Sequence, residues 1–160
     1  MSGSSKDFSQ QVAGFMDTYK KRLYATAQGS VQETVEIAQE VGLKSNASEA
    51  AKAKALSLGE GKGRMRVHTG FLRASAVAGI GQMPSGESVN PSPNTKDAFN
   101  YTGDAISATI ARWQPNQVLY IGWTANYARA REYRDGFLRG ATEKWNHTVD
   151  QVAQKVRRSL

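Results

Sequence analysis

The chain has 160 residues and a formal net charge of +7, which fits one domain of ordinary size. It has no run of about 18 apolar residues, so it predicts no membrane-spanning helix. It also has no cysteine, which excludes disulfides, thiolate metal ligands and a thiol nucleophile. We expect a protein that is synthesised in the cytoplasm and is kept or assembled there. The pI of about 9.8 is compatible with contact to nucleic acid or to an acidic protein surface.

Bulky apolar side chains are scarce in this sequence. Leu, Ile, Val and Phe together account for 29 of the 160 residues, below the roughly 20% at which disorder has to be considered. Alanine, with 21 residues, supplies much of the remaining apolar content. We therefore expect a small core that gains stability from helices and from neighbouring subunits.

The first segment carries the clearest periodicity. Apolar residues recur every three or four positions from Phe8 to Val41, which is one face of an α-helix, and Gly42 ends the pattern. Gly29 lies inside, where a glycine costs about 1 kcal/mol relative to alanine and marks a place for a kink or break. So small a domain does not bury a helix of this length, so we expect the helix to pack on a neighbour as well.

The middle of the chain predicts a helix, a short helical turn, a strand and a long loop. Residues 45–58 are rich in alanine and predict a second helix, which the glycines of residues 59–63 end. Residues 69–75 predict a short helical turn that leads into a strand over residues 76–81. The polar, proline-containing residues 82–104 predict a long loop, through which a subunit can reach its neighbour.

A β-hairpin is predicted next. Ile106, Ala108 and Ile110 alternate with polar residues, as in a strand. Gln114–Gln117 has the composition of a turn, and Val118–Trp123 is the returning strand.

From Asn126 the helical period resumes and continues to the C-terminus. The predicted fold class is α+β, with a long N-terminal helix and a C-terminal helix packed on a small antiparallel sheet with a long inter-strand loop. We treat residues 1–160 as a single domain, with an N-terminal helical segment over about 5–58 and a sheet-plus-helix segment over about 67–160.

The sequence offers no constellation of catalytic, cofactor-binding or metal-binding residues. His68 and His147 are far apart, with no ligand partner at helical spacing. The glycine-rich residues 59–63 do not form a phosphate loop, because Lys62 is followed by glycine and no strand precedes it. The carboxylates of residues 132–143 alternate with arginines, which favours surface ion pairs over the raised pKa of a general acid. We predict no enzyme activity, no cofactor and no metal.

Two basic or aromatic groups remain as candidate contact residues. Lys62, Arg64 and Arg66 follow one another without an intervening acid, so they are candidates to face DNA, or they form a solvated segment. The aromatic residues in the second half of the chain are either stacking platforms for single-stranded nucleic acid or residues of the core and of subunit interfaces. Because aromatic residues and arginine are common in protein interfaces, we favour an interface role. The candidate interface residues are Phe99, Tyr101, Trp113, Arg129 and Arg131.

Two short stretches resemble a known family. Val67–Ser75 reads V-H-T-G-F-L-R-A-S and resembles the V-x-T-G-x-L-R-x-S segment of the head–tail connector or tail-completion (neck) proteins of tailed bacteriophages. Residues 127–138 resemble the family's second segment, Y-A-x-x-x-E-x-G followed by an aromatic, with a longer spacing between the glutamate and the glycine. The resemblance covers the order of elements over about residues 8–156. The matching residues are Thr69, Gly70, Leu72, Arg73, Tyr127, Ala128, Glu132 and Phe137.

The resemblance implies a non-enzymatic structural virion protein at the head–tail joint. Such a protein assembles with itself into a ring, for which six-fold symmetry is one option, and acts as a connector, tail-completion or tail-terminator component. Its partners are other phage neck, connector and tail proteins, with non-specific contact to passing DNA and none to a membrane. The alternative is a small basic nucleic-acid-binding protein.

Three structural roles follow for the matching residues. We expect Thr69 and Gly70 to shape a tight turn, with glycine supplying backbone freedom, and Leu72 to enter the core. Arg73 and Glu132 are a hypothetical ion pair between the two stretches.

Overall fold

The computed structural model of the chain describes residues 3–43, 48–57 and 61–159, and over these residues it contains seven helices and a two-stranded sheet. In chain order the elements are α1 (Gly3–Gln39), α2 (Glu49–Ser57), α3 (Phe71–Ala74), β1 (Ala76–Ile80), α4 (Asp104–Arg112), β2 (Leu119–Trp123), α5 (Ala128–Asp135), α6 (Phe137–Thr142) and α7 (Trp145–Ser159). The predicted fold class, α+β with long terminal helices and a small antiparallel sheet, is confirmed.

Helix α1 runs for 37 residues without interruption, about 55 Å at 1.5 Å per residue. The break considered at Gly29 is not present. A Cβ built at Gly29 would lie 2.8 Å from Cγ1 of Val152, so the glycine lets α7 approach α1 closely. The second helix is present as α2, and the predicted residues 45–47 and 58 lie outside the described residues, as do 59 and 60 of the glycine-rich segment.

The sheet pairs strands that are distant in sequence. The predicted helical turn and strand after residue 69 are present as α3 and β1. Strand β1 is antiparallel to β2, with Ala76 opposite Trp123 and Ile80 opposite Leu119. The turn at Gln114–Gln117 is also present, closed by a 2.8 Å hydrogen bond from Gln117 N to Gln114 O.

The prediction of a strand at residues 106–110 is wrong, and so is the hairpin built on it. These residues belong to α4. Ile106 and Ile110 are buried, whereas Ala108 between them is exposed. This is the four-residue spacing of one helix face rather than the two-residue period of a strand. Helix α4 lies against the sheet, so β2 has β1 as its partner instead.

The single helix predicted at the C-terminus is three helices in the structure, α5, α6 and α7. Gly136 has a left-handed backbone, with φ of 62°, and separates α5 from α6. Residues 143 and 144 form a turn before α7. The expectation of one continuous helix from Asn126 is therefore corrected, because glycine favours the left-handed conformation that ends helices.

The core is small, as its composition predicts. The larger cluster of buried residues contains eight side chains, of which four are alanine, and it joins α1, α3, α5 and α6. The smaller cluster contains Val35, Ile106 and Ile110, and joins α1 to α4 and the sheet. The long loop after β1 is tied to the body, because Phe99 N donates to Thr69 O and Asn126 N donates to Ser88 O, both at 2.9 Å.

Two glycines of α1 give a matched test of this packing. A Cβ built at Gly14 would meet no described atom within 4 Å outside the helix's own backbone, so Gly14→Ala should stabilise α1, by at most about 1 kcal/mol of helix propensity. Gly29→Ala places its methyl group against the stiff, β-branched Val152, and overpacking costs about 1–3 kcal/mol, more than the propensity gain. We expect Gly29→Ala to lower the melting temperature in circular dichroism, and Val152→Ala to recover part of the loss in the double variant. A Gly29→Ala protein as stable as Gly14→Ala would contradict this packing.

Candidate functional site

The two sequence stretches meet around one cavity of about 770 Å³, which we call the motif pocket. Its walls come from the first stretch and the residue before it, from the loop after β1 and from the start of α5. The residues that line it are Arg66, Val67, His68, Thr69, Gly70, Leu72, Arg73, Val89, Asn90, Pro93, Asn126, Tyr127 and Arg131.

The turn at Thr69 and Gly70 forms part of the wall of the motif pocket. Gly70 has φ of 83°, and a Cβ at this position would overlap the carbonyl oxygen of Phe99, so only glycine fits. The Thr69 hydroxyl oxygen accepts hydrogen bonds from Phe71 N at 3.2 Å and Asn90 Nδ2 at 3.1 Å. Thr69 thereby joins the start of α3 to the loop after β1.

Aromatic contacts join the two stretches. Leu72 and Phe71 are buried, and the ring of Phe71 packs edge-on against Phe99 at 5.1 Å and tilted against Tyr127 at 6.3 Å. Burial raises the pKa of Tyr127, although the Thr69 hydroxyl and the charge of Arg131 act in the opposite direction. Tyr127 is therefore a neutral phenol in the pocket wall at physiological pH.

Arg73 and Glu132 do not pair with each other, so the hypothesis of an ion pair is corrected. The Arg73 guanidinium lies over the ring of Tyr101, 5.2 Å from its centroid. Glu132 accepts hydrogen bonds from the backbone N–H groups of Leu138 at 2.8 Å and Arg139 at 3.0 Å. The second stretch thus supplies a carboxylate that caps the first turn of α6.

A buried carboxylate links the arginines of the motif pocket. The side chain of Asp135 is only 2% exposed, and its oxygens lie 2.8 Å from Arg131 Nη2 and 3.5 Å from Arg66 Nε. The sequence predicted only a surface ion pair here. Burial makes the pair interdependent, because removing one partner of a buried pair leaves an uncompensated charge.

The three candidate DNA-facing residues have different surroundings. Lys62 is exposed, beside the isolated bridge to Gly42. The Arg64 guanidinium lies on α6, where a Cβ at Gly140 would be 2.7 Å from its Cζ, and Arg64 Nη2 is 3.8 Å from Glu143. Arg66 pairs with Asp135. Contact of these residues with DNA stays a prediction.

The candidate interface residues also have different surroundings. Phe99 and Tyr101 are half-buried against the two core clusters. Trp113 Nε1 donates to Gln117 O at 2.9 Å, so it closes the turn before β2. Arg131 lines the motif pocket, and Arg129 is exposed on α5.

Sequence reasoning missed two features of the surface. Val89 is exposed at the rim of the motif pocket, and Tyr133 is almost fully exposed beside Arg129. Neither residue had a signal in the sequence. The large apolar side chains exposed on the first half of α1 agree with the expectation that so small a domain does not bury a helix of this length.

The described residues carry neither a metal-binding cluster nor a membrane-spanning helix. Within residues 3–43, 48–57 and 61–159, no three His, Asp or Glu side chains are grouped so that they would hold a metal ion. No helix among those residues is long and apolar enough to cross a bilayer. The arrangement that remains is an arginine-rich pocket with apolar walls, which is suited to binding an anionic group.

The role of Glu132 as a helix cap is testable. Glu132→Ala removes the acceptor for two backbone N–H groups and should cost about 1–2 kcal/mol of unfolding free energy in urea titration. Glu143→Ala is the control, because that exposed pair at 3.8 Å is expected to change stability by less than about 0.5 kcal/mol.

Arg73 and Glu132 bind different groups, so we expect the losses of Arg73→Ala and Glu132→Ala to add within about 0.5 kcal/mol in the double variant. A coupling above about 1 kcal/mol would restore the ion-pair hypothesis.

Comparison of the chain with protein families, curated proteins and solved structures finds no match.

Proposed function

We propose that this chain is a non-enzymatic structural subunit of the head–tail joint of a tailed bacteriophage, a neck or tail-completion protein that assembles into a ring. The first half of α1 is the arm through which each subunit contacts the next. The observation that carries the proposal is the apolar stripe of this arm, which no part of the described chain covers.

The stripe consists of Phe8, Val12, Phe15, Tyr19 and Leu23, spaced by three or four residues on one side of α1. The side chains of Phe15 and Tyr19 are 68% and 57% exposed. Every residue from 7 to 21 is exposed, whereas the later part of the helix supplies Val35 and Ala38 to the core. The stripe therefore lies on a part of α1 that extends beyond the described body of its own chain.

A second copy of the chain is the occupant that this geometry favours. Most of the stability of a helix in a protein comes from packing of its apolar face, so an arm with a continuous apolar side is stabilised when a partner covers it. A closed ring needs two different patches on each subunit, one for each neighbour. The arm supplies one, and the body carries exposed apolar side chains at Met83 and Val118 that are available for the other.

The resemblance to neck proteins supplies the biological setting. The long helix that precedes the T-G-x-L-R stretch, and the contact between the two stretches around Phe71 and Tyr127, agree with a shared architecture. In that setting the protein is located in the virion and meets other neck, connector and tail proteins. The net charge of +7 suits a joint through which DNA passes without sequence-specific reading.

A nucleic-acid-binding protein is the second candidate, and one surface favours it. Tyr133 is almost fully exposed and lies with Arg129 and Arg134 around a shallow depression on α5. An exposed aromatic ring between arginines is able to stack on unpaired bases. This candidate predicts a monomer or dimer whose affinity for DNA falls steeply with salt.

The arm is tested by charge placed on either side of α1. Phe15→Glu with Tyr19→Glu should abolish self-association, because burying the stripe would then bury two carboxylates. Gln10→Glu with Ala13→Glu adds the same charge away from the stripe and should leave assembly intact. The measurement is light scattering at low and moderate salt, with and without DNA, together with negative-stain micrographs of rings. A native chain that remains monomeric at every concentration, or that forms salt-sensitive DNA complexes as a monomer, would refute the ring.

A further inference from the structure

We propose that the motif pocket binds an extended acidic segment of a second protein, with its arginines receiving a carboxylate and its apolar wall receiving the neighbouring side chain. The pocket is separate from the arm of α1. The place of the partner in the head–tail joint rests on the proposed function, whereas the chemistry of the pocket does not.

The motif pocket has a surplus of positive charge. Arg66, Arg73, Arg131 and a histidine line it, and none of its described lining residues is Asp or Glu. The buried carboxylate behind the wall, Asp135, is shared by two of those arginines. A smaller adjoining cavity also borders on Arg73; its one carboxylate, Asp97, is exposed and lies 3.8 Å from Lys96. An anionic ligand would therefore complement the charge of this wall.

Arg73 is preorganised to bind such a ligand. Its side chain lies over the Tyr101 ring, which fixes the guanidinium plane. Its Nε is buried and has no hydrogen-bond partner among the described residues. A buried donor without an acceptor costs about 1–3 kcal/mol, so the charge of this guanidinium is incompletely compensated, and a carboxylate at the pocket wall would supply negative charge beside it.

The part of the pocket wall that the loop after β1 supplies is already ordered without a ligand. Asn90 donates through Nδ2 to Thr69 and accepts through Oδ1 from Ser92 N at 2.8 Å. Ser88 N donates to Thr124 O at 2.7 Å. These bonds pin the loop after β1 to the body, so ligand binding does not have to order it.

The lining favours a peptide over a nucleic-acid strand. A volume of about 770 Å³ is within the range of ligand-binding clefts and cavities. The wall includes Val67, Leu72, Val89 and Pro93, and no lysine is among the described lining residues. A phosphate backbone would leave that apolar wall without a partner, whereas an acidic segment with an apolar side chain covers both parts.

The acidic segment belongs to a different protein rather than to a second copy. This chain has 21 Lys and Arg against 14 Asp and Glu, so two copies repel each other on average. The complementary partner is a protein with an acidic, partly apolar segment in extended form.

The binding test uses a fluorescein-labelled peptide of alternating aspartate and leucine, blocked at both ends, in a fluorescence-polarisation titration of the full chain. We expect saturable binding that is at least about tenfold tighter than that of the asparagine–leucine peptide or of single-stranded oligothymidylate of equal length. Equal binding of the asparagine peptide, or tighter binding of oligothymidylate, would overturn the proposal, as would the absence of saturable binding.

Two exposed residues provide a pair of variants that add the same charge. Val89 is at the pocket rim and 71% exposed, whereas Ala108 is exposed on α4 and lies outside the pocket. Val89→Glu brings a like charge to the incoming carboxylate and should weaken binding at least about tenfold, whereas Ala108→Glu should change it less than about twofold. Equal weakening by both variants would show non-specific attraction to the basic chain and refute the pocket.

Repeating the titration with the Phe15→Glu/Tyr19→Glu protein separates this proposal from the proposed function. Peptide binding should persist in that variant, because the arm does not line the motif pocket. Rings without peptide binding would refute the pocket alone, and peptide binding by a native chain that forms no ring would refute the proposed function alone.

Discussion

The carboxylate of Asp135 holds the second half of the molecule together. It is buried between Arg131 of its own helix and Arg66, which precedes the first sequence stretch. A carboxylate taken out of water needs close compensation, and Asp135 finds it in two arginines that keep part of their side chains exposed. The position of α5 and the path of the chain into α3 are thereby fixed relative to each other. The Phe71 contact with Tyr127 and the motif pocket both lie across this joint, so the pocket depends on this buried pair.

An alanine-rich core sets the second constraint. Four of the eight side chains in the larger cluster are alanine, and small side chains let helices approach closely but bury little apolar area. Gly29 against Val152 follows the same rule. A body of this kind covers only the second half of α1. The apolar stripe of the first half is therefore surplus to the needs of the monomer, which is the physical basis for assigning it to a neighbouring subunit.

Elements with one dominant local signal were predictable from the sequence, and elements decided by distant contacts were not. Helix α1 and the turn at Gly70 follow from periodicity and from glycine. Residues 106–110 fit both periods, because Ile106 and Ile110 are two strand repeats apart and also one helical turn apart; burial against Val35 and the sheet decided for helix. Gly136 is a residue that commonly ends a helix, but the apolar period continues beyond it, so the sequence predicted one helix. The burial of Asp135 depends on Arg66, far away in sequence, so no local pattern revealed the charge at the centre of the site.

The two surfaces that we propose as binding sites have opposite chemistry. The stripe on α1 is apolar, so it suits an identical chain whose body carries exposed apolar side chains such as Met83 and Val118. The motif pocket is cationic in a chain that is itself cationic, so it suits a different, acidic protein. A subunit that binds its own kind through one surface and another protein through a second satisfies the basic requirement for joining two unlike assemblies. Because the surfaces share no residue, each can be occupied without displacing the other.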